Sequence, residues 1–232
     1  MKRICTYLLL FCFNTLCYSQ AVYVNLKKNM SDGNFNRCLT LSDSCFDKNY
    51  YPDSSLYYKA MVYLKMDKVK QAKKTCSALY KTYPAFTELH FLNGLICFSE
   101  ENYGKSIDEF NLAVKDNPKN IKAIFNRSIA FGLLEEYLSA IEDLGACIEL
   151  DPGYAQAYYS RAYWYEYTGN YAAAAKDYEA AIRLDPKNYD AYLGLAYVYQ
   201  NQNETAKACQ VISRAIEEGS LTAAELREIF CK

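Results

Sequence analysis

The spacing of its prolines constrains the fold of this chain more than any other feature. Four prolines lie 34 residues apart: Pro84, Pro118, Pro152 and Pro186. Pro52 precedes the first of them by 32 residues. Each closes a segment with a helical pattern, and proline ends a helix because it lacks an N–H group and disfavours the α conformation in the residue before it. Regular punctuation at this interval is typical of stacked structural repeats rather than one central core.

Frames of 34 residues that start at residue 53 contain two columns of small side chains. The eighth positions hold Ala60, Gly94, Ser128, Ala162 and Ala196. The twentieth positions hold Ala72, Ser106, Ala140, Ala174 and Ala208. Two antiparallel helices approach closely only where their facing side chains are small. The sequence therefore predicts an all-α fold, an α-solenoid built from antiparallel helix pairs.

These columns resemble the signature of the tetratricopeptide repeat family, which has small residues at positions eight and twenty, an aromatic near twenty-four and proline at thirty-two. The resemblance is strongest from Phe125 to Pro152 and from Ala157 to Pro186. It implies a degenerate repeat at residues 20–52 and five complete units after it. The five units are 53–86, 87–120, 121–154, 155–188 and 189–219.

The N-terminal segment differs from the repeats. Lys2 and Arg3 precede an apolar run, and residues 17–19 offer small side chains at both positions that a signal peptidase reads. This pattern predicts a secretory signal peptide at residues 1–19, with Gln20 as the mature N-terminus. The protein would then be exported, to the periplasm or cell surface of a bacterium or into the medium of a eukaryotic cell. No membrane insertion is expected after cleavage.

The C-terminal segment predicts a capping helix at residues 220–232. Gly219 can stop the preceding helix, and Thr222 with Glu225 has the spacing of a capping box. Three apolar residues follow at helical spacing: Leu226, Ile229 and Phe230. Such a helix would cover the apolar end of the last repeat.

The cysteines leave one candidate disulfide. Three of the ten cysteines fall in the predicted signal peptide, and the seven that remain cannot all pair within one chain. Most occupy core columns, where cysteine serves as a small apolar side chain. Cys209 and Cys231 are the best candidates for a bridge, because the capping helix should pack on the helix that carries Cys209. We expect no metal site and no cofactor, since there is no C-x-x-C pair and only one histidine.

The sequence favours a protein that is not an enzyme. His90 could pair with Cys76 or Cys97, but it stands where the repeat needs a large packing residue. Glycine-rich phosphate loops are absent. The formal net charge is −1 and no basic stripe is present, so nucleic acid is not an expected partner.

Two successive frames carry opposite charges at their seventh and twenty-third positions. The pairs are Arg127 with Asp143 and Arg161 with Asp177. In the last frame both positions are apolar, Leu195 and Val211. Charges that appear together and disappear together predict salt bridges between the two helices of a repeat, with a structural role.

The resemblance also implies a binding surface. In the family, the fifth and ninth positions face a concave groove. The fifth positions here are Tyr57, Phe91, Phe125, Tyr159 and Leu193, and the ninth are Met61, Leu95, Ile129, Tyr163 and Tyr197. These would form two apolar stripes, and exposed apolar surface of this kind marks interaction sites.

We therefore expect an exported, non-catalytic scaffold that binds a protein or peptide with an apolar segment through this groove. One alternative is a structural subunit that self-associates through the same stripes as a homo-oligomer. Another is a binder of a small apolar or glycan ligand, which tyrosine side chains would suit.

Overall fold

The computed structural model describes residues 24–47 and 51–231, apart from the side chains of residues 229 and 230. The signal peptide predicted for residues 1–19 and its cleavage before Gln20 lie outside these residues. The described part contains helices and turns and no strand. The chain divides between Asp116 and Asn117 into two compact units. No described helix combines the length and the apolar character needed to cross a membrane.

Unit 1 (residues up to Asp116) contains six described helices, each joined to the next by a short connection. They are α1 (24–31), α2 (Phe35–Asp47), α3 (Pro52–Lys65), α4 (Val69–Thr82), α5 (Leu89–Ser99) and α6 (Tyr103–Asp116). Helix α2 packs on α3, α3 on α4, and α5 on α6, while α3 also contacts α5. The first helices of neighbouring repeats therefore lie side by side.

Unit 2 (residues from Asn117) has the same arrangement and ends in one additional helix. Its helices are α7 (Ile121–Leu133), α8 (Tyr137–Leu150), α9 (Ala155–Tyr167), α10 (Tyr171–Leu184), α11 (Tyr189–Asn201), α12 (Thr205–Glu217) and α13 (Leu221–Phe230). Each packs on the next, and α9 also contacts α7 and α11. The predicted fold class, an all-α solenoid of antiparallel helix pairs, is confirmed. The repeat boundaries drawn from the sequence stay predictions.

The small residues of the two predicted columns are buried where the helices of a pair cross. Between α5 and α6, the hydroxyl of Ser106 donates a hydrogen bond to the carbonyl oxygen of Gly94 at 2.9 Å. A Cβ atom at Gly94 would lie 2.5 Å from the ring of Phe110, which is too close. Small side chains at this crossing therefore allow the two backbones to approach.

Proline and asparagine together mark the start of two repeats in unit 2. In unit 2, α10 ends at Leu184, Pro186 follows, and the side chain of Asn188 accepts a hydrogen bond from the backbone N–H of Ala191 at 3.2 Å. Asparagine is a favoured N-cap because its oxygen satisfies an N–H that has no partner inside the helix. Pro52 differs from the other prolines, because it is the first residue of α3. The N–H of a residue at this position has no partner inside the helix, so proline loses no hydrogen bond there.

The residue that caps the C-terminal helix differs from the one that the sequence predicts. The hydroxyl of Ser220 accepts a hydrogen bond from the N–H of Ala223 at 3.1 Å and caps α13. The expected capping box of Thr222 and Glu225 is wrong, because Thr222 already lies inside the helix. Gly219, at φ 100°, ends the preceding segment. Ala223 is fully buried against the core of unit 2.

Candidate functional site

In each of two successive repeats of unit 2, an arginine–aspartate pair joins the two helices of the repeat. The Arg127 guanidinium donates to both carboxylate oxygens of Asp143, at 2.8 and 2.7 Å, and links α7 to α8. Arg161 and Asp177 do the same between α9 and α10, at 2.7 and 2.9 Å. Each aspartate is only 7% exposed. Two parallel hydrogen bonds fix the geometry of such a pair, so these residues hold the helices in register.

The last repeat has a purely apolar contact at the same two positions. Leu195 on α11 and Val211 on α12 are both buried within the core of unit 2. The same pair of positions therefore forms a salt bridge in two repeats and a contact between apolar side chains in the third.

A disulfide joins the end of the chain to the last repeat. Cys209 on α12 bonds to Cys231, which follows α13, with their Cα atoms 4.8 Å apart. Leu226 of α13 packs against the same core. The bridge thus fastens the C-terminal end of the capping helix to the surface that it covers.

The thiol and imidazole groups of unit 1 form separate contacts. The Cys76 thiol donates to the Asn93 side-chain oxygen at 2.9 Å, and burial raises the pKa of Cys76 to about 12. His90 Nδ1 lies 2.8 Å from a carboxylate oxygen of Glu109. A nucleophilic cysteine needs a lowered pKa, so this environment acts against that chemistry. Within the described residues, no group of three or more His, Cys, Asp or Glu side chains is arranged to hold a metal.

The predicted stripes of unit 1 are largely inside the protein. Tyr57 is 8% exposed and lies against Phe86, and Phe91 is 5% exposed and lies against Phe110. The expectation that Tyr57 and Phe91 form an exposed aromatic stripe is wrong, because neighbouring side chains of unit 1 cover both rings almost completely. The ninth-position residues, Met61 and Leu95, are half-buried.

The predicted stripes of unit 2 reach the surface. We call the side of α7, α9 and α11 that carries them the unit 2 face. Five of its residues are half-buried: Phe125, Ile129, Tyr159, Tyr163 and Leu193. The sixth, Tyr197, is 47% exposed. Because α9 contacts both α7 and α11, these side chains lie on adjacent helices and share one surface.

An aromatic cluster that the sequence analysis did not identify adjoins this face. Trp164 is 7% exposed, stacks on Tyr137 at 5.6 Å between ring centroids, and meets Tyr163 edge-on at 4.9 Å. The hydroxyls of Tyr163 and Tyr167 lie 3.1 Å apart, and Tyr167 is 56% exposed. The available signal was the density of aromatic residues from position 163 to position 171.

A carboxylate also lies among these tyrosines. The hydroxyl of Tyr178, which is buried beneath α9, donates to Glu166 at 3.1 Å. Burial raises the pKa of Glu166 and of Tyr178, because both are partly or wholly removed from water. Tyr159 lies on Tyr178 with ring centroids 5.9 Å apart, and its pKa is raised first by burial and then by the charges of Asp190 and Glu166.

Two stretches of the chain match family models with the description "Tetratricopeptide repeat". One match covers residues 165–221 in unit 2, and the other covers residues 54–85 in unit 1. The matches support the tetratricopeptide repeat family. A search of curated proteins found no match.

Several solved structures share the fold, and two of the following three are described as TPR proteins. The structure of pilF from Pseudomonas aeruginosa has a TM-score of 0.74 and 13% identity, and the likeness covers 91% of this chain and 97% of that one. YrrB, described as a TPR protein with an unusual peptide-binding site, has a TM-score of 0.63 and 16% identity over 81% of this chain and 97% of its own. A thermophilic TPR protein from Thermus thermophilus has a TM-score of 0.66 and 18% identity, and the likeness covers 78% of this chain and 99% of that one. At these identities the likeness shows the fold alone.

Proposed function

We propose that this protein is an exported, non-catalytic scaffold that binds an apolar segment of another protein on the unit 2 face. The tetratricopeptide repeat fold is typical of protein–protein interaction. The observation that carries the finer proposal is the partial exposure of aromatic rings on adjacent first helices, above all Tyr167 and Tyr197, at 56% and 47%.

The energetics of aromatic side chains support this role. Buried tyrosine rings are among the strongest anchors in protein interfaces, because each contributes a large apolar area and a hydroxyl that can form a hydrogen bond. Burial of apolar surface contributes about 25 cal/mol per Å² before the costs of association are subtracted. The peptide-binding site named for YrrB offers a precedent for such use of the fold.

The disulfide supports export. A bridge such as that between Cys209 and Cys231 persists in oxidising compartments and is rare where thiols are kept reduced. We infer that the protein acts in the periplasm, at the cell surface or in the extracellular medium. Mass spectrometry of the native N-terminus tests this: a chain that begins at Gln20 in an envelope or secreted fraction is expected. A chain retained inside the cell with residues 1–19 attached would contradict export.

The binding proposal is tested by affinity capture with matched variants. The variant Tyr167→Glu, Tyr197→Glu places one charge in the aromatic cluster that adjoins the unit 2 face and one charge on the face itself. Both positions are exposed, so folding should be preserved. The control Leu184→Glu places one negative charge at an exposed position on α10, which is the second helix of its repeat.

We expect the wild type and the control to retain the same proteins, and the double variant to lose them. Equal retention by all three would overturn binding through the unit 2 face. Sedimentation at several concentrations tests the alternative of self-association: a mass that rises with concentration in the wild type and not in the double variant would favour a homo-oligomer.

A further inference from the structure

Buried and half-buried carboxylates of unit 2 have two kinds of hydrogen-bond partner. Asp143 and Asp177 are each paired with an arginine through two hydrogen bonds. Glu166 is half-buried and accepts a hydrogen bond from the Tyr178 hydroxyl. Among the salt bridges of the described residues, none joins Glu166 to a basic side chain. Glu166 thus carries a charge without a counter-charge at a position where water compensates it only in part.

The surroundings of Glu166 suit a cation. Tyr159, Tyr163 and Glu166 follow one another at helical spacing on α9, so their side chains share one face of the helix. Burial and the charges of Asp190 and Glu166 raise the pKa of Tyr159. The hydrogen bond to Tyr167, burial and nearby groups that include Glu166 raise the pKa of Tyr163. Tyrosine rings attract cations through their negative faces. A guanidinium or ammonium group would therefore find both a carboxylate and aromatic rings there.

A second acidic group borders the same region. Asp190, at the start of α11, lines a cleft of about 390 Å³ together with Tyr159 and Asp185. Lys187 also lines this cleft. Asp185 accepts a hydrogen bond from the backbone N–H of Lys187 at 3.1 Å. With two carboxylates and one ammonium group, the lining of this cleft carries a net charge of −1.

We propose that the partner segment bound on the unit 2 face carries an arginine or lysine, whose side chain lies against Tyr159 and Tyr163 and pairs with Glu166. Asp190 attracts the same segment from the neighbouring helix. The proposal rests on the proposed function, because it specifies the chemistry of the partner. Arginine is the better fit, since its planar guanidinium stacks on aromatic rings and pairs with a carboxylate through two hydrogen bonds.

Selection of peptides from a random displayed library tests this inference. The purified protein is immobilised, and the bound peptides are sequenced beside those selected by Glu166→Gln and by the control Glu142→Gln, which removes an exposed charge on α8. We expect the wild type and the control to enrich peptides with an arginine or lysine between apolar residues. The Glu166→Gln protein should lose the preference for the basic residue and keep the preference for apolar ones.

The selected peptides distinguish a failure of this inference from a failure of the proposed function. Enrichment of apolar peptides without basic residues would leave the proposed function standing and overturn the cationic partner. Basic enrichment that survives in Glu166→Gln would also overturn it. If no peptide is enriched by the wild type, the proposed function itself fails, and this inference with it.

Calorimetry with one selected peptide provides the quantitative test. Replacing its arginine by glutamine, or Glu166 by glutamine, should each weaken binding about tenfold or more, the loss expected for one charge-assisted hydrogen bond. Combining both changes should cost little beyond either alone, because both remove the same contact. Additive losses would show that the arginine and Glu166 do not meet. Asp190→Asn, at an exposed position, gives a second variant in case Glu166→Gln melts at a lower temperature.

Discussion

The two units place similar residues at the same repeat position and expose them differently. Tyr57 and Phe91, at fifth positions in unit 1, are buried against neighbouring rings. Phe125 and Tyr159, at fifth positions in unit 2, remain half-buried. The repeat position decides on which face of the helix a side chain lies. The residues around it decide how much of that side chain meets water.

The units also differ in the partner of the seventh-position residue. In unit 2, Arg127 and Arg161 pair with Asp143 and Asp177 on the second helix of the same repeat. In unit 1, the seventh-position residue Asn93 of α5 accepts a hydrogen bond from the Cys76 thiol of α4, in the preceding repeat. The seventh position therefore contacts the helix of its own repeat in one unit and the helix of the repeat before it in the other.

Truncation of the fifth-position rings tests the first difference most directly and should have the largest effect. Phe91→Ala removes a core ring and should lower the free energy of unfolding by about 4 kcal/mol. Phe125→Ala removes a half-buried ring and should cost about 1–2 kcal/mol. Urea denaturation followed by circular dichroism measures both. Equal losses would mean that the two rings are buried to the same degree in solution.

The salt bridges provide the next largest effect. Arg161→Leu leaves Asp177 buried without its counter-charge, which should destabilise the protein by about 3 kcal/mol. The double variant Arg161→Leu, Asp177→Val copies the apolar pair of the last repeat and should recover to within about 1 kcal/mol of the wild type. Thermal melts of the three proteins provide the comparison. A double variant as unstable as the single one would show that hydrocarbon cannot replace the pair in this repeat.

The disulfide should matter somewhat less, and for unit 2 alone. Cys209 and Cys231 are separated by 22 residues in the sequence. A cross-link over a loop of this length stabilises a fold by about 2–3 kcal/mol, mainly by restricting the unfolded chain. A reductant should therefore lower the melting temperature of the wild type. Cys231→Ser should melt at that lower temperature with or without reductant, and a further drop on reduction would point to another bridge.

The smallest effect concerns the N-caps. In unit 2, the side chain of Asn170 accepts a hydrogen bond from the N–H of Ala173 at 3.2 Å, and Asn170→Ala should cost about 1 kcal/mol. Lys68 occupies the corresponding position before α4 in unit 1 and forms no capping bond through its side chain. Lys68→Ala should therefore leave stability nearly unchanged. Equal losses in denaturation would mean that backbone propensity, and not the cap, governs these positions.

Much of the fold could be predicted because its signals act over short distances. Pro186 and Asn188 end one helix and start the next through their own backbone and side-chain chemistry. Ala162 and Ala174 are small where two helices must cross, and such columns repeat at a fixed interval. The capping residue of α13 was misplaced, since Ser220 and Thr222 are both good N-caps and only the path of the chain after Gly219 selects between them.

The candidate site could be predicted only in part. The six residues of the unit 2 face follow from the family resemblance, because position in the repeat decides the direction of a side chain. The aromatic cluster around Trp164 was missed, since Tyr137 belongs to another repeat and meets Trp164 only after α8 and α9 pack. The environment of Glu166 was missed for the same reason, as its partner Tyr178 lies on the following helix.

The sequence by itself determined the helix pairs, their repetition and the apolar character of the first helices. Helix period, proline and residue size express themselves within a few residues, and repetition amplifies each signal. Only the tertiary structure decided that Phe91 is core while Tyr197 is surface, and that Glu166 lies among tyrosines without an arginine. Exposure and charge compensation depend on which side chains from other helices occupy the surrounding space, and no local pattern specifies that.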